Sequence, residues 1–269
     1  MSTRVITVGI GGASSAGKST LAKQLSGVLP NCTVIHQDDY WSSPDECVIH
    51  PVYNEPFLEH PSTAIKWPLF RERVQRLKTI TTDTEVSRWE ESDSDGSQND
   101  TIPDQMDGLS QEFGKLPDDM VAAWTQRFRE LDKEWRSRGI QLKWCIVEGW
   151  HLYYDPEVVK ELDLRLLIRC PSSVLRKRRE KRAYKQEDGT LRVDPPYYWE
   201  YFTYPAYLLS HSHLFQGELD VGPLSAAAES AGVILLEGEG TKQNLSCSEL
   251  FERAATSVLL MGRSRMESK

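Results

Sequence analysis

The sequence predicts an α/β fold, a parallel sheet flanked by helices on both faces. Three observations predict it. Short apolar strands alternate with helical stretches along the chain. A glycine loop joins the first strand to the first helix. Carboxylates follow two later strands, at the sheet edge where such folds gather their functional groups.

Taken in order, Arg4 to Ile10 reads as a short buried strand. The glycine loop runs from Gly11 to Gly17, and a helix spans Lys18 to about Leu29, ended by Pro30 and Asn31. Thr33 to His36 is a second strand, running into Gln37-Asp38-Asp39-Tyr40-Trp41. Residues from about Pro68 to Leu77 read as helical. Pro117 and Asp118 open another helix, in which Val121, Trp124, Phe128, Leu131 and Trp135 recur at helical spacing and form one apolar face. Gly139 ends it. Lys143 to Val147 is a strand leading to Glu148-Gly149, and Leu164 to Arg169 is another, stopped by Pro171. A helix begins at about Ser172, Val233 to Leu236 is a late strand, and Cys247 to about Leu260 is a closing helix. The expectation is a single domain over 1–269, interrupted by an insertion at about 79–117.

Charge is unevenly placed. Of the formal net charge of −8, seven acids lie between Glu90 and Asp107 with no lysine or arginine among them. That stretch is polar and almost free of apolar residues, so it cannot bury enough surface to offset the entropy of ordering; the expectation is a disordered acidic surface loop. The remainder is near neutral, which argues against general nucleic-acid binding. No apolar run approaches the ~18 residues needed to span a membrane, and no secretory signal precedes the glycine loop. The five cysteines are odd in number and lack CxxC spacing, which disfavours a disulfide scaffold or zinc ribbon and fits a reducing compartment, cytoplasm or nucleus.

Gly12-Ala13-Ser14-Ser15-Ala16-Gly17-Lys18-Ser19 matches GxxxxGK[ST] in full, with a strand before it and a helix after it. Glycines let backbone amides curl around an anion at a helix N-terminus. Lys18 then reaches the β- and γ-phosphates of a nucleoside triphosphate, and the Ser19 hydroxyl is offered to Mg²⁺. The fold class becomes a P-loop NTPase-type sheet. Asp38, Asp39 and Glu148 stand after strands at the same edge, one as a second Mg²⁺ contact and one of the aspartates as acceptor of the substrate's hydroxyl proton. Six of the seven residues from Arg176 to Arg182 are basic. Beside a phosphate loop they read as an arginine-bearing lid that closes over the phosphates and excludes water.

With these motifs assembled, the chain resembles the nicotinamide riboside kinase family, its fungal branch above all, within the uridine kinase-like P-loop kinases. The resemblance rests on Gly12 to Thr20, Leu29 to Tyr40, Tyr53-Asn54, Ile146 to Gly149, the lid from Val174 to Tyr184, and Val193-Asp-Pro-Pro-Tyr-Tyr198. It implies ATP-dependent phosphorylation of the ribose 5′-hydroxyl of nicotinamide riboside, and of nicotinic acid riboside, by a monomeric enzyme of NAD synthesis without nucleic-acid or membrane partners. It implies Asp38 as general base near Mg²⁺, Ser19 as metal ligand, and Asp38, Asp39, Tyr40 and Trp41 as the nucleoside-site lining. Arg178 and Arg182 are implied as ATP contacts, Arg179 as a catalytic contact on the nucleoside side, and Tyr184 as a ring stacked on the pyridine. Gly240-Thr241-Lys242 matches the adenine loop.

The sequence departs from the family at Phe57-Leu58-Glu59-His60-Pro61. Glu59 stands for the aspartate that holds the ribose hydroxyls, its extra methylene moving the carboxylate by about one bond length. Leu58 stands in the aromatic place, leaving Phe57 and Trp41 as the nearby rings. A solvated loop carboxylate is the plainer reading of Glu59. His211 and His213 read as surface or helix-face histidines, Trp124 and Trp135 as core, and the aromatic cluster from Tyr197 to Tyr204 mostly as core. Uridine or pantothenate kinase chemistry and a non-catalytic ATP-binding scaffold are the competing functions.

Overall fold

The computed structural model describes residues 1–79, 114–185 and 191–267. The acidic tract expected to be disordered lies outside the described residues.

Five strands form one wholly parallel sheet: β1 (Ser2–Gly12), β2 (Cys32–His36), β3 (Ile140–Gly149), β4 (Leu164–Arg169) and a last strand, Val233–Glu237, in the order β2-β3-β1-β4-last. Between β4 and the last strand a small antiparallel pair intervenes, β5 (Tyr184–Lys185) and β6 (Leu191–Arg192), so the last strand is β7. The chain steps outward from β1 to β2, returns to β3, then crosses β1 to reach β4. The carboxyl ends of β1 and β3 therefore lie where strand order reverses, the usual ligand crevice of such sheets.

The sheet's core strands are apolar on both faces because helices cover both. The helices are α1 (Lys18–Val28), α2 (Trp67–Arg76), α3 (Asp118–Ser137), α4 (Pro156–Val159), α5 (Ser172–Glu180), α6 (Tyr204–His211), α7 (Ala226–Ser230) and α8 (Cys247–Glu267). The apolar face read on α3 is the face that packs: Trp124, Phe128, Leu131 and Trp135 are buried, and the Trp135 indole donates to the Gly262 carbonyl of α8 at 3.2 Å. Helix α8 runs beyond the expected end because its buried face continues through Val258 to Gly262. Its last turn is tied down by Arg265 to Asp163 at 2.7 Å and by Arg138 to the Met266 carbonyl at 2.9 Å.

A second apolar cluster, Phe57, Trp150, Tyr198, Phe202 and Ala206, sits apart from the main core, with Trp41 and Tyr53 against it. It is built on a π-helical turn, Trp199–Thr203, that feeds α6. His211, read from sequence as a surface or helix-face residue, ends α6 but is fully buried. One face of α6 is buried, with Ala206, Tyr207 and Ser210 beside it, and the ring packs 4.5 Å from Tyr207. All five cysteines are free, and no helix among the described residues is long and apolar enough to cross a membrane.

Candidate active site

The phosphate loop leaves β1 through Gly12, whose φ of 142° belongs to glycine. A Cβ there would collide with the Ile168 carbonyl oxygen of β4. Ser15 and Gly17 also take positive φ, 64° and 99°, which turns successive amides toward one concavity. Helix α1 starts at once, with no side-chain cap and no acid in its first turn, so its positive end is left for an anion. Lys18 is buried and donates from Nζ to the Ala13 carbonyl at 3.0 Å, spanning the loop. Burial holds its pKa down, against the pull of Glu148 and Asp38.

Sheet register assembles the acidic half. His36 on β2 and Ile10 on β1 are both paired with Glu148 on β3. Glu148 is buried, accepts from the Ser19 hydroxyl at 3.0 Å, and meets His36 Nδ1 at 2.7 Å. Burial acts to raise the Glu148 pKa, but the His36 hydrogen bond, Lys18 and Ser19 outweigh it and the net direction is down. The same hydrogen bond raises His36. One residue beyond β2, a 3-10 turn over Gln37–Tyr40 carries Asp38 over the cleft. Asp38 is open to solvent at the cleft mouth, yet ringed by protein atoms. That crowding, and then the charge of Glu148, push its carboxyl above the usual range, while Lys18 and Arg182 pull it down. Asp39 is exposed, and Tyr40 packs its ring against Phe70 of α2 at 5.2 Å, within the main core. Ser19, Asp38 and Glu148 offer only oxygen, which suits a small hard cation that keeps water and substrate phosphate as its other ligands. No cluster of three or more acidic, histidine or cysteine ligands occurs among the described residues, so phosphate and water would have to complete the shell.

The lid helix α5 closes the other side. Arg178 donates to the Ser15 carbonyl at 3.1 Å and to Glu239 at 2.7 Å, linking the phosphate loop to the turn after β7. That turn holds Gly240-Thr241-Lys242; Gly240 has φ +80° and donates its amide to Asn244 at 2.8 Å. Arg179 is buried and reaches three segments: Ser14 of the loop at 2.8 Å, Asp194 at 2.7 Å, and Glu59 by an ion pair. Its guanidinium also lies 5.7 Å from the Tyr198 ring centroid. Arg182 faces both Lys18 and Asp38. Tyr184 stands on β5, paired with Arg192.

Glu59 is not a solvated loop carboxylate: it is 5% exposed. Burial raises its pKa, with the charge of Arg179 opposing. Its Oε2 is buried and makes no hydrogen bond. The second aromatic cluster walls this side, with Trp41 and Trp150 at 5.6 Å and Tyr198 stacked on Phe202 at 4.8 Å. Sequence reasoning gave no role to His36, Thr203 or Asp194. Only Asp194 carried a signal, its place in the Val-Asp-Pro-Pro run.

A phosphate loop, an oxygen-donor pair at the strand ends and an arginine lid beside a separate aromatic cluster define a P-loop kinase of a small acceptor. No family model matches the chain. It is similar to the nicotinamide riboside kinase of Saccharomyces cerevisiae, 28% identical over 215 residues and 80% of each chain. It is 30% identical to that of Eremothecium gossypii over 213 residues, 78% of each. Nicotinamide riboside kinase 1 of Mus musculus is 54% identical over 39 residues, 14% of this chain and 20% of that one. The chain belongs to the nicotinamide riboside kinase family.

Proposed function

We propose that this protein transfers the γ-phosphoryl group of ATP to the 5′-hydroxyl of nicotinamide riboside, giving nicotinamide mononucleotide for NAD synthesis. The observation that carries the reading is Arg179, which joins the phosphate loop to a buried carboxylate beside the aromatic cluster. A riboside presents a diol and a flat ring, the two features that a carboxylate and neighbouring aromatic rings bind.

Asp38 takes the hydroxyl proton as the ribose oxygen forms its bond to the γ-phosphorus and the bond to ADP breaks. The loop amides and Lys18 hold the β- and γ-phosphates, and Arg178 and Arg182 meet charge on the departing nucleotide. Glu59 accepts from the ribose hydroxyls through Oε2 while Arg179 holds Oε1. Tyr184 stacks on the pyridine, Trp41 borders it, and the turn at Gly240-Thr241-Lys242 receives adenine. Mg²⁺, held by Ser19 with Asp38 and Glu148, supplies positive charge at the transferring phosphates when bound.

The test is a phosphorylation assay of the purified chain with ATP across nicotinamide riboside, nicotinic acid riboside, uridine, cytidine and pantothenate, read by mass of the product. Preference for the two pyridine ribosides is expected. Preference for uridine or pantothenate would replace the acceptor and keep the chemistry; no turnover of any acceptor would leave an ATP-binding scaffold.

A further inference from the structure

A guanidinium has five N–H donors in a rigid fork, and facing a single carboxylate it normally pairs through two of them. Arg179 does not. Its Nη1 donates to Ser14, its Nη2 meets Oε1 of Glu59, and its Nε donates to Asp194. The consequence is that Oε2 of Glu59 stays unpaired although buried.

We propose that Asp194 is a positioning residue: by holding Nε of Arg179 it keeps one arm of the guanidinium on the phosphate loop and the other on a single oxygen of Glu59. The proposal rests on the reading of Glu59 and Arg179 as acceptor-side groups of the kinase. Charge balance does not require Asp194, because Glu59 alone neutralises Arg179. A second carboxylate works against the first, since its charge adds to the rise in the Glu59 pKa. What Asp194 contributes is direction. Without it, the fork is free to swing onto both oxygens of Glu59, consuming the acceptor for the ribose hydroxyls and withdrawing Nη1 from Ser14. The local chain suits the task. Asp194 precedes Pro195-Pro196, and a residue before proline is confined to extended backbone. Its carboxylate is 16% exposed, mostly shielded from competing water.

The experiment compares Asp194→Ala and Asp194→Asn in the full chain, alone and in an Arg179→Ala background. Four readouts are taken: kcat, acceptor KM, dissociation constants for nicotinamide riboside and a non-hydrolysable ATP analogue, and the melting temperature. Losing a hydrogen bond to a charged group should cost roughly 10- to 100-fold in acceptor affinity, with kcat also falling. The ATP-analogue affinity should stay within about threefold, because phosphate binding rests on the loop and Lys18. Asp194→Asn keeps an oxygen acceptor and should recover much of the loss. With Arg179→Ala already present, Asp194→Ala should change riboside binding no further. A folded Asp194→Ala with wild-type kcat and KM, or an equal loss in both backgrounds, overturns the proposal, as does a lowered melting temperature with unchanged kinetics. If the wild-type chain phosphorylates no acceptor, the proposed function falls and this inference with it; if the wild type turns over and the variants match it, this inference alone falls.

Discussion

Asp38→Asn separates catalysis from folding in a way the geometry makes specific. Asparagine keeps the shape of the side chain but can neither take a proton nor carry the charge. Removing a general base costs ~10²–10⁴ in rate, which corresponds to about 3–5 kcal/mol of barrier. ATP affinity should hold within roughly tenfold, because loop amides, Lys18 and the Ser19–Glu148 contact do not pass through Asp38. Stability should move the other way. The Asp38 carboxyl is raised by crowding and by Glu148, so its ionised form disfavours the folded state at neutral pH. Asparagine relieves that repulsion, and the melting temperature should stay level or rise while kcat collapses. The same shift places the acid limb of the kcat/KM profile above the ordinary aspartate range, activity falling as pH drops through it. Asp39→Asn, at an exposed position, is the control and should lose far less. Steady-state kinetics with nicotinamide riboside, nucleotide titration and thermal melts of both variants decide the matter. A dead Asp39→Asn beside an active Asp38→Asn would reverse the assignment; two active variants would move the base elsewhere, with Glu148 the next carboxylate.

Lys18→Ala should abolish turnover, because it removes the cation at the transferring phosphate, while the circular dichroism melt survives; undiminished ATP turnover would refute the phosphate-loop role. Gly12→Ala should destabilise by ~3 kcal/mol or more, since the added Cβ meets Ile168 backbone in a conformation alanine rarely adopts; an unchanged urea midpoint would refute it. Burial pushes His211 down to about 3, so as pH falls below 6.5 the unfolded chain takes up a proton that the folded chain refuses. Stability should therefore fall by ~2 kcal/mol between neutral pH and pH 5 from this residue. His151, fully buried and shifted in the same direction, adds to the slope. His211→Gln should flatten it by about half in urea melts at pH 7.5 and 5.

The sequence alone determined the sheet and the phosphate end of the site. Each expected strand and helix is present, within one to a few residues at its ends except for α8, which runs seven residues past its expected end, because hydrophobic period, proline and glycine punctuation and the GxxxxGKS run act over a few residues at a time. β1, α1 and the loop between them are legible for that reason, and so is the core face of α3. Tertiary structure decided the acceptor end. The π-helical turn at Trp199–Thr203 has no periodicity to read, and packing of one face of α6 turned His211 from an expected surface residue into a buried one. His36 meets Glu148 because sheet register sets residues 112 apart in sequence side by side. Glu59 is a buried ion-pair partner only because the lid helix brings Arg179 to it across 120 residues. Local propensity fixes which segments are strand, helix and loop; which carboxylate faces which arginine is fixed by how those segments stack, and that information is held by no single stretch of the chain.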